Sequence, residues 1–297
     1  LTGLSCHTLR IWEKRYGFPK PKRTPTGHRR YPHEQVEALR AVASLVNRGE
    51  TVREAMDQLK SGRLAPTGLK DAGVAGIPIV NPAVVKLIDL LMAGKLIEAD
   101  ALHEREAAAL SPRDVIARII EPAMTEIGER WFRKQCEIYQ ERCASLFLRR
   151  KLMVMYDQAQ RANPNPTRVA IVGAPQGERH KGGILILSVL LELHGWRAIN
   201  LSVDIPIREF DRAVKGFHAQ ILCLSFVLSR NINKRFRELE AIQTVPIVVG
   251  GRSIVNYHNL ARKHGLIPLS GPASLLIPRL EEEYEAWHRL HDKVAVP

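Results

Sequence analysis

Arg168-Val-Ala-Ile-Val-Gly173-Ala-Pro-Gln-Gly177-Glu178-Arg179-His180-Lys181-Gly182-Gly183 runs from β-branched residues into a glycine-rich loop, and an apolar segment continues to about His194. A short apolar run bounded by turn residues and followed by a helical pattern reads as strand, loop and helix. The alternation recurs downstream, with apolar runs at 198–201, 221–225, 247–249 and 266–269 and helical patterns at 207–215, 231–242, 253–264 and 272–291. Strands that alternate with helices predict a five-stranded, doubly wound parallel sheet over residues 168–297. Ligands of such sheets bind beyond the carboxyl ends of the strands, where the strand order reverses. The loops after the first, third and fourth strands are therefore the places to look for function.

The first of these loops holds Glu178-x-His180, a carboxylate close enough in sequence to hold one imidazole nitrogen. The other nitrogen is then available to a metal. A histidine in such a loop is otherwise an ordinary exposed polar residue. Gly182 and Gly183 remove side chains where a large ligand would approach the backbone. Ser225-Phe226-Val227 and Gly250-Gly251 stand at later strand ends, with forty-one residues between Gly183 and Ser225. Together these pieces resemble the cobalamin-binding domain of methionine synthase and coenzyme-B12 mutases, whose signature is Asp/Glu-x-His-x-x-Gly, Ser-x-Leu and Gly-Gly; Val227 stands in place of Leu. The resemblance implies a flavodoxin-like sheet that binds a cobalamin, adenosylcobalamin or methylcobalamin. In that reading His180 is the lower axial ligand of cobalt, Glu178 orients it, and Gly183, Ser225, Val227, Gly250 and Gly251 receive the nucleotide tail.

Residues 82–158 read as four helices, about 82–93, 95–109, 112–134 and 136–158, with Ser111-Pro112 a strong start signal for the third. Their apolar spacing predicts a four-helix bundle, joined to the sheet by a linker at 159–167. Trp131 and Glu141 match the Trp-x9-Glu-His pattern of light-sensing MerR–cobalamin repressors of the CarH type, which implies a bundle capping the upper face of the corrin. Trp131 would then lie over the upper ligand and Glu141 would hydrogen-bond an adenosyl group; packing in the bundle core is the alternative for Trp131. Arg142 replaces the histidine of the pattern, and Phe132 follows the tryptophan where light-sensing members can carry one.

The chain carries 44 Lys and Arg against 31 acidic residues, a formal net charge of +13. From Arg10 to Tyr31 stand eight basic residues and one acid, Glu13, interleaved with Trp12, Tyr16, Phe18 and three prolines. Over half of the excess charge thus lies in 22 residues, a footprint that points to a polyanion. Ser5 is placed to cap a helix from Cys6 to about Tyr16 that buries Leu9 and Trp12 and turns Thr8, Arg10, Lys14 and Arg15 outward. The segment 24–31 reads as a hairpin wing with Arg29 and Arg30 near its tip. Leu1–Ser5, Thr8–Glu13, Arg15-Tyr16-Gly17 and Gly27–Tyr31 resemble the winged-helix domain of MerR-type regulators. That resemblance implies duplex-DNA contacts by Thr8, Arg10, Lys14, Arg15, Tyr16, Arg23, His28, Arg29, Arg30 and Tyr31, with a further helix ahead of Leu1. Amphipathic helices over 33–48 and 51–60 complete a head spanning 1–62, and 63–81 reads as a Gly/Pro/Ala linker.

No apolar run approaches the roughly 20 residues of a membrane span, and the first residues show no secretory pattern. Cys6, Cys136, Cys143 and Cys223 have no metal-finger spacing, so free thiols in a reducing cytoplasm are expected. The expected function is a DNA-binding regulator, a repressor, that senses a cobalamin, in the photosensory version light, through ligand-linked assembly into dimers or tetramers. One alternative keeps the fold but answers to another ligand or to a partner protein. A corrinoid enzyme would need a catalytic or substrate domain for which the chain has no room.

Overall fold

The computed structural model describes residues 4, 6–24, 29–47, 52–62, 81–228, 231–242 and 244–292. Ser5, His28, Thr51 and the linker residues 63–80 lie outside the described residues.

The head comprises α1 (Cys6–Tyr16), β1 (Lys22–Arg23), β2 (Arg29–Arg30), α2 (His33–Asn47) and α3 (Val52–Lys60). Leu9 and Trp12 of α1 pack on Leu39, Val42 and Val46 of α2 and on Ala55 and Met56 of α3, as the apolar spacing requires. Gly17, at φ +70°, ends α1 in the left-handed conformation that glycine adopts without strain. β1 and β2 pair antiparallel, Lys22 opposite Arg30 and Arg23 opposite Arg29. Arg29 and Arg30 thus stand on the returning strand of the wing and not at its tip. Glu13 offsets the charge crowded there: Arg29 Nε lies 2.6 Å and Arg23 Nη2 4.0 Å from its carboxylate.

The helical module is α4 (Pro82–Met92), α5 (Leu96–Ala107), an interrupted third helix and α8 (Ile138–Ala162). The third begins as α6 (Pro112–Val115), where Ser111 Oγ accepts the Asp114 N–H at 3.1 Å, and passes through a π-helical turn (Ile116–Ile120) into α7 (Glu121–Phe132). Pro122 has no N–H to offer the preceding turn and its ring crowds the carbonyl four residues back, and a locally wider turn relieves both. α8 runs on to Ala162, so residues 159–162 are helix rather than linker. The extension has a cause in packing: Ala159 is buried, and Gln160 and Asn163 donate to Glu192.

The α/β module contains β3 (Arg168–Gly173), α9 (Gly182–Glu192), β4 (Trp196–Asn200), α10 (Ile207–Gly216), β5 (Ile221–Ser225), α11 (Ile232–Leu239), β6 (Ile247–Gly250), α12 (Ile254–Lys263), β7 (Ile267–Pro268) and α13 (Ala273–Asp292). The strands are parallel, in the order β4-β3-β5-β6-β7. The order reverses between β3 and β5, which puts the loops carrying His180 and Ser225 on either side of the switch point. One apolar core joins Leu87, Ile116 and Leu148 of the bundle to Leu185 and Val189 of α9 and to Trp196. The opposite face of the sheet packs Phe210, Phe226 and Phe236. No described helix is long and apolar enough to cross a membrane.

His103 in α5 is 6% exposed and neither ring nitrogen has a hydrogen-bond partner. Burial, ahead of the nearby Lys151, lowers its pKa below the ordinary 6.5, and burial lowers that of His258 as well. The unfolded chain binds these protons near pH 6.5 and the folded chain resists them, so stability is full above 6.5 and declines as the pH falls below it. A thermal melt is expected to drop by about 3 °C or more between pH 7 and 5, with a shallower slope in His103→Phe. An identical slope in that variant would show that another group sets the dependence.

Candidate ligand site at the carboxyl edge of the sheet

β3 leads into a loop held from two sides. The Asp204 carboxylate accepts the Gly177 N–H at 2.6 Å, and Arg235 Nη2 donates to the Gln176 carbonyl at 2.6 Å. Gly177 sits at φ +87°, and a β-carbon there would stand 2.9 Å from Arg235 Nη2. The clamp aims Glu178 inward, leaving it 1% exposed. Its Oε1 accepts the Leu228 N–H at 2.8 Å and lies 3.9 Å from Arg235 Nη1. Oε2 is buried with no hydrogen-bond partner, and Nδ1 of the half-exposed His180 ring stands 3.7 Å from it. A buried carboxylate oxygen without a donor is costly. The imidazole N–H is placed to supply that donor, which would leave Nε2 for a ligand on the open side.

Ser225 and Gly250 are register partners at the ends of β5 and β6, so the three sequence pieces meet along one edge. Each glycine has its own reason. Gly183 has no neighbouring atom within 4 Å of a built β-carbon, and Gly250 would make only an ordinary 3.5 Å contact with the Leu269 carbonyl. Gly251, at φ +96°, would drive a β-carbon to 2.6 Å from the Phe226 carbonyl oxygen. Gly182 would meet Met124 of α7 at 2.8 Å, so its missing side chain admits the bundle rather than a ligand. Val227 accepts from Ser253 Oγ through its carbonyl at 2.7 Å.

On the bundle, Trp131 lies two helical turns beyond Met124 on one face of α7, and Gly128, between them, faces open space. Trp131 is 50% exposed, which excludes core packing as its role, and Phe132 is 55% exposed. Glu141 accepts from Ser145 Oγ at 2.8 Å, and Arg142 Nε lies 3.5 Å from its other oxygen. The sequence reading missed Arg235, Asp204, Met124 and Gly128. None belongs to a motif, and each is brought in by tertiary packing.

On the head, Arg10, Lys14, Arg15, Arg23 and Arg30 are exposed, and Tyr16, Arg29 and Tyr31 are half-buried. Thr8 departs from expectation: it is 7% exposed, and Asn256 Nδ2 donates to its Oγ1 at 3.0 Å. It faces α12 instead of solvent. Cys136, Cys143 and Cys223 are free thiols; burial pushes Cys223 up to about 12 and, together with Glu141, raises Cys136. Among the described residues no group of three His, Cys, Asp or Glu is arranged to hold a metal ion.

Residues 1–61 match the MerR HTH family of regulatory proteins, and residues 85–155 match the B12 binding domain. The protein is therefore a MerR-type DNA-binding regulator with a B12-binding domain. Over 261 residues it is 31% identical to the HTH-type transcriptional repressor CarA of Myxococcus xanthus, covering 84% of this chain and 83% of that protein. It belongs to that family of regulators. The HTH-type transcriptional repressor CarH of the same organism is 26% identical over 259 residues, 84% of this chain and 86% of that one. A dimethylamine corrinoid protein of Methanosarcina barkeri is 22% identical over 173 residues, 56% of this chain and 81% of its own length. In fold, the structure is similar to the monomethylamine corrinoid protein of Methanosarcina barkeri, with a TM-score of 0.55 at 15% identity over 67% of this chain and 96% of the other.

Proposed function

We propose that this regulator represses transcription at a duplex-DNA operator through its head and senses a cobalamin between bundle and sheet. The observation that carries this reading is the unpartnered, buried Glu178 oxygen facing His180 at the switch point of the sheet. The residues fit a corrinoid. His180 offers a nitrogen for cobalt, Gly183 and Gly250 leave room for the tail beside Ser225 and Val227, and Trp131 and Glu141 stand on the bundle. When bound, the cobalamin would supply a cobalt centre for His180 to coordinate, and its loading would be the quantity sensed. Glu178 would hold the His180 ring, Arg235 and Asp204 fix the loop, and the bundle would exclude water. Arg10, Lys14, Arg15, Arg23 and Arg30 supply charge for phosphates and bases.

Loading can alter DNA affinity only by favouring one assembly or conformation over another, and we assign that change to ligand-linked association into dimers or tetramers. Phe132 and Arg142 put no imidazole at these positions of the bundle, so capture of cobalt by a histidine there after illumination is no part of the proposal. The test uses the full-length protein, adenosylcobalamin and methylcobalamin in the dark, and readings of spectrum, molecular size and DNA affinity before and after light. Bound corrinoid with a change in size and DNA affinity is expected. Absence of bound corrinoid overturns the reading in favour of a regulator that answers to another ligand or partner.

A further inference from the structure

The face of α1 that would read DNA is covered along part of its length. Beyond Thr8, the side chains of Ile11 and Arg15 line a cleft of about 340 Å³ whose opposite wall includes Val227, Leu228, Ser253 and Asn256. That wall is continuous with the proposed ligand site. Leu228 N–H is held by Glu178 Oε1, and Ser253 donates through Oγ to the Val227 carbonyl and through N–H to the Phe226 carbonyl. Asn256 N–H in turn donates to the Ser253 carbonyl at 3.0 Å. A short run of hydrogen bonds thus links the residue that faces His180 to the one that holds Thr8.

We infer that Asn256 is a latch that docks the DNA-reading helix on the tail-receiving loops, so that the docked head is closed to DNA. The major groove, about 12 Å wide, admits an α-helix, and α1 cannot enter one while α12 is bonded to Thr8. Ser225 and Val227, which would receive the tail, belong to the same loops, so a ligand held there would favour the undocked form. That difference is what a ligand needs in order to shift a conformational equilibrium. The coupling to ligand rests on the cobalamin reading, whereas the latch itself is a property of the ligand-free protein.

Asn256→Ala is expected to raise the DNA affinity of ligand-free protein about fivefold, the worth of one hydrogen bond. The DNA is a duplex enriched from a random pool by the wild-type protein. In a Cys6→Ser background, the pair Thr8→Cys and Asn256→Cys should form a disulfide on oxidation, lose DNA binding at least about tenfold and regain it on reduction. Unchanged affinity in Asn256→Ala, or oxidised protein that binds DNA undiminished, overturns the latch. Failure of wild-type protein to take up cobalamin overturns only the ligand reading, because both latch measurements are made without corrinoid.

Discussion

His180→Ala is expected to take up cobalamin at least about a hundredfold more weakly than the wild type, since loss even of a residue that only orients a metal ligand costs about 10–100-fold. The visible spectrum of any corrinoid still bound should lack the signature of imidazole coordination. Glu178→Gln separates the ligand from its support. Its carbonyl can still accept the Leu228 N–H, but the neutral amide pairs more weakly with the ring, and about tenfold loss of affinity is expected with coordination retained. Glu178 is 1% exposed and holds the loop after β5 to the loop after β3, so each variant is checked by its melting profile. Equal binding by His180→Ala and wild type would remove His180 from the site.

The motif residues and the fold were readable because both depend on local order. Strands alternate with helices at a rhythm the apolar runs declare, and Glu178 and His180 lie in the loop after β3 while Ser225 ends β5, along the edge where such sheets bind ligands. Residues recruited by packing were not readable. Arg235 lies on α11, far along the chain, and nothing about its neighbours marks it as the clamp over Gln176. The π-helical turn before Pro122 needs a proline inside a helix that buried contacts keep intact, and those contacts emerge only with the bundle. Thr8 was misplaced for a related reason. The period of α1 separates a core face from an outer face, and the outer face can meet a second module as well as solvent.

Gly250 and Gly251 look equivalent in the sequence, and the structure separates them. Gly251→Ala combines a left-handed backbone at φ +96° with a β-carbon 2.6 Å from the Phe226 carbonyl oxygen, where backbone cannot yield as a side chain would. A loss of about 3 kcal/mol in stability is expected from strain and overlap together, read as a lowered denaturation midpoint with or without corrinoid. Gly250→Ala meets only the Leu269 carbonyl at 3.5 Å, an ordinary contact, so its midpoint should stay near that of the wild type. Its cost should fall on ligand binding, because the added methyl occupies the edge beside Ser225 where the tail is placed; about tenfold weaker cobalamin uptake is expected. On these outcomes the fold would require one glycine and the ligand the other. If Gly250→Ala binds cobalamin as tightly as the wild type, the tail does not pass over that strand end, and the site must be redrawn towards Gly183 and β3.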